Sequence, residues 1–340
     1  MTPAGAGSRA GKTGKPSATA EGGAGTAASE RGRAGPSQAA KTAKSNRVEV
    51  GGRQLEVSNL EKVLWPATGT TKGEMLSYYA RISAVLVPHL AGRAITLKRY
   101  PDGVDGTSFF EKNCPSYKPP WIHTVKMGEV NYCLVEEPAT VVWLANLAAI
   151  ELHPTLATKP DLGSPTSVVF DLDPGEPADV MACARVSLLI RDLLAQLRLK
   201  AWAKTSGSKG LQLYVPLNSG ARYDGSAPFA KAVAQLLEKR HPDLVVSYQQ
   251  RAARAGKVLI DWSQNTETKT TISVYSLRAR PEPTVSTPVT WDELEDALSA
   301  GQADRLRFEW KDVVDRVERR GDLMAEVLTL EQELPPLAVP

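Results

Sequence analysis

The stretch Ser167-Val168-Val169-Phe170-Asp171-Leu172-Asp173-Pro174-Gly175 decides how the rest of the chain is read. It begins with β-branched and aromatic residues, the composition of a buried strand, and Pro-Gly ends it. Successive strand side chains point to opposite faces, so Asp171 and Asp173 share one face and Leu172 takes the other. Two carboxylates this close repel, and each raises the other's pKa unless a cation lies between them. Hard oxygen donors in that arrangement suit Mg²⁺ or Mn²⁺. An isolated Asp-x-Asp is more often a strand-end turn with two solvated acids. Here the polar strand ends that follow downstream weigh against that reading.

A chain of 340 residues holds one large domain or two ordinary ones, and 42% hydrophobic with 23% charged residues describes a globular protein. No apolar run reaches the length of about 18 residues that a membrane span requires. The N-terminus lacks the apolar core of a signal peptide. Three scattered cysteines, Cys114, Cys133 and Cys183, give neither a disulfide framework nor a zinc pair, which points to a reducing cytoplasm. The total charge of +3 is unevenly spread. Residues 1–47 carry eight Lys or Arg against Glu21 and Glu30, so the remainder is mildly acidic. That first segment is Ala-, Gly- and Ser-rich and too poor in large apolar side chains to offset its ordering entropy; it is expected to be a disordered basic tail.

From Val48 the pattern becomes regular. Val48–Val50 and Gln54–Val57 flank Gly51-Gly52 as a hairpin, and Ser58–Pro66 reads as a turn of helix or a loop. Thr71 and Glu74 have capping-box spacing ahead of Met75, Tyr78, Tyr79, Ile82 and Leu86, a helix that Pro88 is expected to close. Ile95–Tyr100 reads as a strand ending in the cations Lys98 and Arg99, residues 113–130 as a long surface loop, and Thr140–Leu152 as a buried helix ended by His153-Pro154. Beyond the Asp171 strand come a helix over 177–199, strands at 202–205 and 211–215, a helix over 229–239 and a strand at 257–261 that delivers Asp261. This β-α-β-β-α-β order is the split βαβ pattern of ferredoxin-like and RNA-recognition-motif folds, with residues 271–275 as a further candidate strand. A second capping box, Thr290 to Glu293, opens another helix, and 307–333 is helical and charged.

In such a sheet the central strands lie side by side, so Asp171, Asp173, Asp261 and the loop Ser206-Gly207-Ser208-Lys209-Gly210 can converge on one face. Three carboxylates with one or two divalent ions are the usual machinery of nucleotidyl transfer. The loop offers backbone N–H groups, two hydroxyls and a cation, a set suited to phosphate oxygens, although it lacks Walker A spacing. Two rival readings stand beside this one. A phosphohydrolase built on Asp-x-Asp expects Thr or Val where Gly175 stands. A non-catalytic DNA-end bridging module would leave three intact carboxylates without a task.

Several motifs in order carry a resemblance. They are Ser58-Asn59-Leu60-Glu61-Lys62-Val63-Leu64, Pro66-Ala67-Thr68-Gly69-Thr70-Thr71-Lys72, Phe109-Phe110-Glu111-Lys112, Phe170-Asp171-Leu172-Asp173-Pro174-Gly175, Thr205-Ser206-Gly207-Ser208-Lys209-Gly210-Leu211, Asp261-Trp262-Ser263-Gln264-Asn265 and Tyr275-Ser276-Leu277-Arg278. From about Val48 to Leu294 the chain resembles the polymerase domain of bacterial ligase D, within the archaeo-eukaryotic primase superfamily. The resemblance implies an α+β, primase-like core whose ferredoxin-like sheet bears the acidic site, with an N-terminal α/β subdomain. It divides the chain into a tail (1–47), a polymerase domain (48–300) and a C-terminal helical extension (301–340).

It also implies roles. Asp171, Asp173 and Asp261 would hold two Mn²⁺ or Mg²⁺ ions. His153, Ser206, Lys209 and Arg278 would hold the incoming NTP or dNTP, with Gln264 and Arg254 beside them. Asn59, Lys62 and Lys72 match the pocket for a 5′-phosphate on the far side of a gap. Phe109 and Phe110, preceded by Arg99, would meet template bases. The implied activity is templated repair synthesis on gapped or broken double-stranded DNA, preferring ribonucleotides. A separate DNA ligase and a Ku-type end-binding protein are the implied partners, since no K-x-D-G ligase motif is present and the chain reads as a stand-alone form. The 113–130 segment, where similarity is weakest, leaves pairing of two DNA ends without sequence support, and the lack of primase-type zinc ligands favours repair over priming.

Overall fold

A computed structural model describes residues 45–336, so most of the expected disordered tail lies outside the described residues; Ser45–Arg47 already belong to a strand. The described residues contain six α-helices: α1 (Lys72–Leu90), α2 (Pro138–Asn146), α3 (Val180–Gln196), α4 (Tyr223–Arg240), α5 (Trp291–Ala300) and α6 (Trp310–Arg320). Two main sheets divide the chain between them. The first has five strands, with Ile95–Arg99 paired to Phe109–Glu111 on one side and Ala149–Pro154 on the other, and the hairpin Thr124–Met127/Val130–Cys133 alongside. Helices α1 and α2 share one core with it.

The second sheet runs in the order Val245–Val246, Val258–Asp261, Ser167–Pro174, Leu211–Pro216, Trp202–Thr205 and Pro288–Val289. Its four middle strands are antiparallel in the ferredoxin-like order that the sequence pattern predicts. Alternation explains how the sheet is anchored. Val168, Phe170 and Leu172 are buried in one cluster with α3 and α4, each contributing about 2 kcal/mol. Asp171 and Asp173 therefore stand on the face away from the helices. The α+β, primase-like architecture is as expected, and both capping boxes form: Glu74 N–H donates to Thr71 Oγ1 and Glu293 N–H to Thr290 Oγ1.

Several local expectations are corrected. The apolar run 140–152 is not one helix: α2 ends at Asn146, Ala148 takes φ 59°, and Ala149–Pro154 is a strand that carries His153. A run buried on every side has no periodicity to separate the two structures. Within 58–66, Val63–Trp65 is a short strand paired with Thr70–Thr71. The supposed loop 113–130 folds back into the Thr124–Met127 hairpin. Helix α1 runs two residues past Pro88. Residues 271–275 form no strand: Thr271 and Ser273 donate N–H bonds to the Pro154 and Leu152 carbonyls of the first half, and Val274-Tyr275 turns, with Tyr275 at φ 63°.

The cysteines also depart from expectation. Cys114 and Cys133 form a disulfide, with Cα atoms 4.8 Å apart. The fold brings them together because Cys114 N–H donates to the Asn131 carbonyl on the returning strand, a proximity that sequence spacing does not reveal. The cysteine pattern consequently gives no argument for a reducing compartment. No helix among the described residues is long and apolar enough to cross a membrane.

Residues beyond 300 pack into the body. Val313 and Val314 of α6 are buried in the first core, and Tyr78 meets Trp310 edge-on at 6.4 Å. Glu293 joins α5 to α6 through Arg316 and Arg320. Burial opposes its charge, but the Arg316 hydrogen bonds, the capping bond and both guanidinium charges outweigh that and hold its pKa near 2. A depressed carboxyl stabilises the fold above its ordinary value of 4.5, and the gain disappears as pH falls toward 2. Glu293→Gln is expected to cost about 1–3 kcal/mol in urea denaturation at pH 7. Its deficit relative to wild type should shrink as the titration is repeated from pH 5 downward.

Candidate active site

One row of side chains crosses the second sheet. Antiparallel register sets Lys204 opposite Gln212, Gln212 opposite Asp171, and Asp171 opposite Asp261. Directly opposed residues point to the same face, so four polar side chains stand in line, with Asp173 two residues along from Asp171. Burial, and next the charge of Asp173, push the Asp171 carboxyl up to about 7, while the Gln212 hydrogen bond and the Lys204 charge oppose the shift. Asp173 is raised by burial and by Asp261, against the pull of Arg254, whose Nη2 is 3.7 Å from Asp173 Oδ2. Asp261 accepts from Ser263 N–H and Oγ–H at 2.9 and 2.6 Å and from Gln264 Nε2 at 3.2 Å, which fixes its carboxyl plane.

Among the described residues no three His, Cys, Asp or Glu side chains already form a closed metal cage. The aspartates are neighbours by register, and their oxygens do not converge on a point. Their donor chemistry nevertheless fits a hard divalent ion: two carboxyls whose charge is disfavoured by mutual repulsion and burial are stabilised by a cation between them. Buried Gln212 Oε1 has no hydrogen-bond partner beside them.

The same cleft is lined by His153, Asp171, Asp173, Ser206, Lys209, Arg254, Gln264 and Arg278, so eight of the expected site residues meet there, with Asp261 one strand from Asp171. The Ser206 loop is closed upon itself. Ser206 Oγ accepts the N–H groups of Ser208 and Gly210, and Ser206 N–H donates to the Gly210 carbonyl. Gly207 sits at φ 66°, and Thr284 Oγ1 donates to its carbonyl. A Cβ on Gly210 would collide with the Leu172 carbonyl, and one on Gly175 with the Arg254 carbonyl. Lys209 reaches out to Glu176, 2.7 Å away in an exposed pair.

Sequence reading missed three residues. Glu151, buried beneath the cleft, accepts from Arg278 Nε at 3.2 Å and Ala279 N–H at 3.1 Å, and its Oε2 is 3.0 Å from His153 Nε2. Burial acts against its charge, but the His153 hydrogen bond and the Arg278 and His153 charges hold its pKa near 2. Burial lowers the His153 pKa, with Glu151 opposing. Glu151 and His153, two residues apart, share one face of the Ala149–Pro154 strand, a segment that the sequence reading takes as helix. Lys204, wholly buried, donates to Ser286 Oγ at 2.6 Å, and burial brings its pKa to about 7 against the attraction of Asp171. Gln212 is the third. Both were hidden because their neighbours come from other strands.

The remaining expected residues form a second group. Asn59 takes φ 55° and its carbonyl accepts Lys62 N–H, while Lys62's own carbonyl accepts Lys72 N–H. Lys72 Nζ donates to the Ser58 carbonyl at 2.7 Å, and burial, then the charges of Lys62 and Arg99, bring its pKa down to about 8. Arg99 is held by both Glu111 oxygens and the Leu147 carbonyl and lies over the Phe109 ring. Phe109 and Phe110 are exposed, at 43% and 60%, as surface aromatics and not core. Phe110 meets the His153 ring edge-on at 5.9 Å, which links this group to the cleft.

The sequence profile of the family "LigD, primase-polymerase domain" matches residues 71–324. The multifunctional non-homologous end joining protein LigD of Mycolicibacterium smegmatis is 43% identical over 278 residues, which cover 80% of this chain and 36% of that protein. The bifunctional LigD of Bacillus subtilis is 30% identical over 79% of this chain and 43% of its own length. The chain thus spans little more than a third of the mycobacterial relative. The solved polymerase domain from Mycobacterium tuberculosis ligase D in complex with DNA superposes with a TM-score of 0.75 at 41% identity, covering 82% of this chain and 99% of that one. With the fold and the profile in agreement, the chain belongs to the LigD primase-polymerase domain family.

Proposed function

We propose that this chain is a template-directed nucleotidyltransferase that fills short gaps or extends broken ends in DNA repair. The observation that carries the reading is the row that sets Asp261 opposite Asp171, with Asp173 on the same strand face, in a cleft shared with the Ser206 loop. Asp171, Asp173 and Asp261 would hold two Mn²⁺ or Mg²⁺ ions. When bound, such ions supply Lewis-acid activation of a primer 3′-hydroxyl and neutralise the charge of leaving pyrophosphate. Lys209, free to swing from its exposed partner Glu176, and the Ser206–Gly210 loop bind the triphosphate of an incoming NTP or dNTP. Arg278 and His153, fixed by Glu151, and Gln264, fixed by Asp261, position that nucleotide. Arg254, beside Asp173, completes the cationic side.

Asn59, Lys62 and Lys72 receive a downstream 5′-phosphate. The reluctance of Lys72 to stay charged between Lys62 and Arg99 supports this, because an arriving dianion relieves it. Phe109 and Phe110 stack on template bases beside the cationic face of Lys98 and Arg99. Preference for ribonucleotides, and work alongside a ligase and a Ku-type end-binding protein, belong to this proposal on the family resemblance alone. The alternative, a non-catalytic end-bridging module, leaves that carboxylate row without a task.

The deciding experiment extends a primer across a short 5′-phosphorylated gap with Mn²⁺, comparing ribo- and deoxyribonucleotides. Templated addition favouring ribonucleotides is expected, and Asp171→Ala or Asp261→Ala should reduce it by at least about 10³-fold with DNA binding retained. DNA binding without any addition by wild type would transfer the case to the bridging module. Lys62→Ala should bring the affinities for phosphorylated and unphosphorylated gaps together; an unchanged ratio removes that pocket from the reading. Glu151→Gln, which takes the carboxylate away from the part-buried Arg278 guanidinium and the His153 ring, should cost about 3 kcal/mol in chemical denaturation and raise the KM for nucleotide more than it lowers kcat.

A further inference from the structure

The cationic group at Lys62 contains an acid that the proposed binding reaction does not use. Arg99 is committed to Glu111 and the Leu147 carbonyl, and Lys72 Nζ is held by the uncharged Ser58 carbonyl. Lys62 alone rests on an exposed acid: its Nζ is 2.9 Å from Asp102 Oδ1, and the Asp102 side chain is 74% exposed. The backbone under Asp102 is fixed. Val104 N–H donates to the Leu64 carbonyl at 2.8 Å, and Gly103, at φ 87°, lies so close to that carbonyl that a Cβ there would be 2.8 Å from its oxygen. Asp102 is therefore held at the mouth of the group by the same segment that carries Lys62, while its carboxylate remains free to turn.

An exposed pair of this kind adds little to stability, so structure alone does not account for it. Resting on the reading that Lys62 and Lys72 receive a 5′-phosphate, we propose that Asp102 is a specificity-determining residue that competes with the DNA phosphate for Lys62 and so weakens the grip on phosphorylated ends. In the free protein the carboxylate neutralises Lys62. When a phosphate dianion arrives, the carboxylate turns into solvent and stays within a few ångströms of it, where two like charges repel measurably despite screening. A 5′-hydroxyl end brings no dianion and meets much less of this opposition. The device keeps a product end from being held too tightly once its gap is closed.

The test measures binding of one gapped duplex, with a 5′-phosphate or a 5′-hydroxyl, by fluorescence anisotropy at low and physiological salt. Wild type, Asp102→Asn, Asp102→Ala and the charge-conserving Asp102→Glu are compared, each checked by thermal unfolding. Both neutral variants are expected to bind the phosphorylated gap about three- to tenfold more tightly and the hydroxyl gap less than twofold more tightly, the difference fading with salt, while Asp102→Glu keeps the wild-type ratio. A wild type that does not distinguish the two ends overturns the phosphate-pocket reading and this inference with it. A wild type that does distinguish them, with neutral variants whose ratio is unchanged or smaller, overturns only the inference and makes Asp102 an orienting partner of Lys62. Equal tightening on both ends also overturns it, as general charge and not phosphate recognition.

Discussion

Everything in the cleft depends on the hydrogen-bond register of the Ser167–Pro174 strand with its two neighbours. That register sets Asp171 opposite Gln212 on one side and Asp261 on the other. A slip of one residue would send the carboxylates into the helix layer and Val168, Phe170 and Leu172 out to the cleft. The apolar alternation beneath α3 and α4 prevents the slip: three fully buried side chains resist exposure far more strongly than the acids gain by leaving each other. The core thereby forces together like charges that would otherwise separate. Burial of the Asp171 carboxyl, and after it this crowding with Asp173, raise its pKa.

The second dependency joins the two sheets. Glu151 belongs to the first sheet, Ser206 to the loop between two strands of the second, and Arg278 bonds both, through Nε to Glu151 and through Nη1 to the Ser206 carbonyl at 2.6 Å. The segment that carries Arg278 is itself held by Tyr275, which takes φ 63° and whose carbonyl accepts the Tyr78 hydroxyl of α1. Tyr275 also donates its hydroxyl to Asp322, which bonds His89. Residues up to 322 are therefore tied to the same arginine, and the C-terminal part of the chain helps to place a side chain of the cleft.

Much of this was legible in the sequence because it rests on local signals. The period-two run ending in Asp-x-Asp, the two capping boxes and the β-α-β-β-α-β order depend on residues near each other in the chain, and they predict the acidic strand, α1, α5 and the sheet order. The Ser206–Lys209 loop is legible from its own residue chemistry, while His153, Arg254, Gln264 and Arg278 rest on motif resemblance, and the fold brings all of them together. What stayed hidden depends on partners far away in sequence. Lys204 resembles an ordinary strand cation until the sheet buries it beside Ser286. Cys114 and Cys133 look unrelated until a hairpin returns one to the other. The 140–152 run failed for a different reason: apolar along nearly its whole length, it fits helix and strand equally, and the choice falls at Ala148, a residue with no turn signature.

The two glycines at the cleft have a consequence for altering the protein. Gly210 presses on the carbonyl of Leu172, between the two acids of the strand, and Gly175 presses on the carbonyl of Arg254. Neither contact has room for one more carbon. Any substitution there must move the phosphate-type loop away from the acidic strand, or that strand's end away from the arginine, as whole backbone units. The Leu172, Gly175, Gly210 and Arg254 backbones are thus packed as one block, and a library that places larger residues at 175 or 210 samples mostly misassembled clefts.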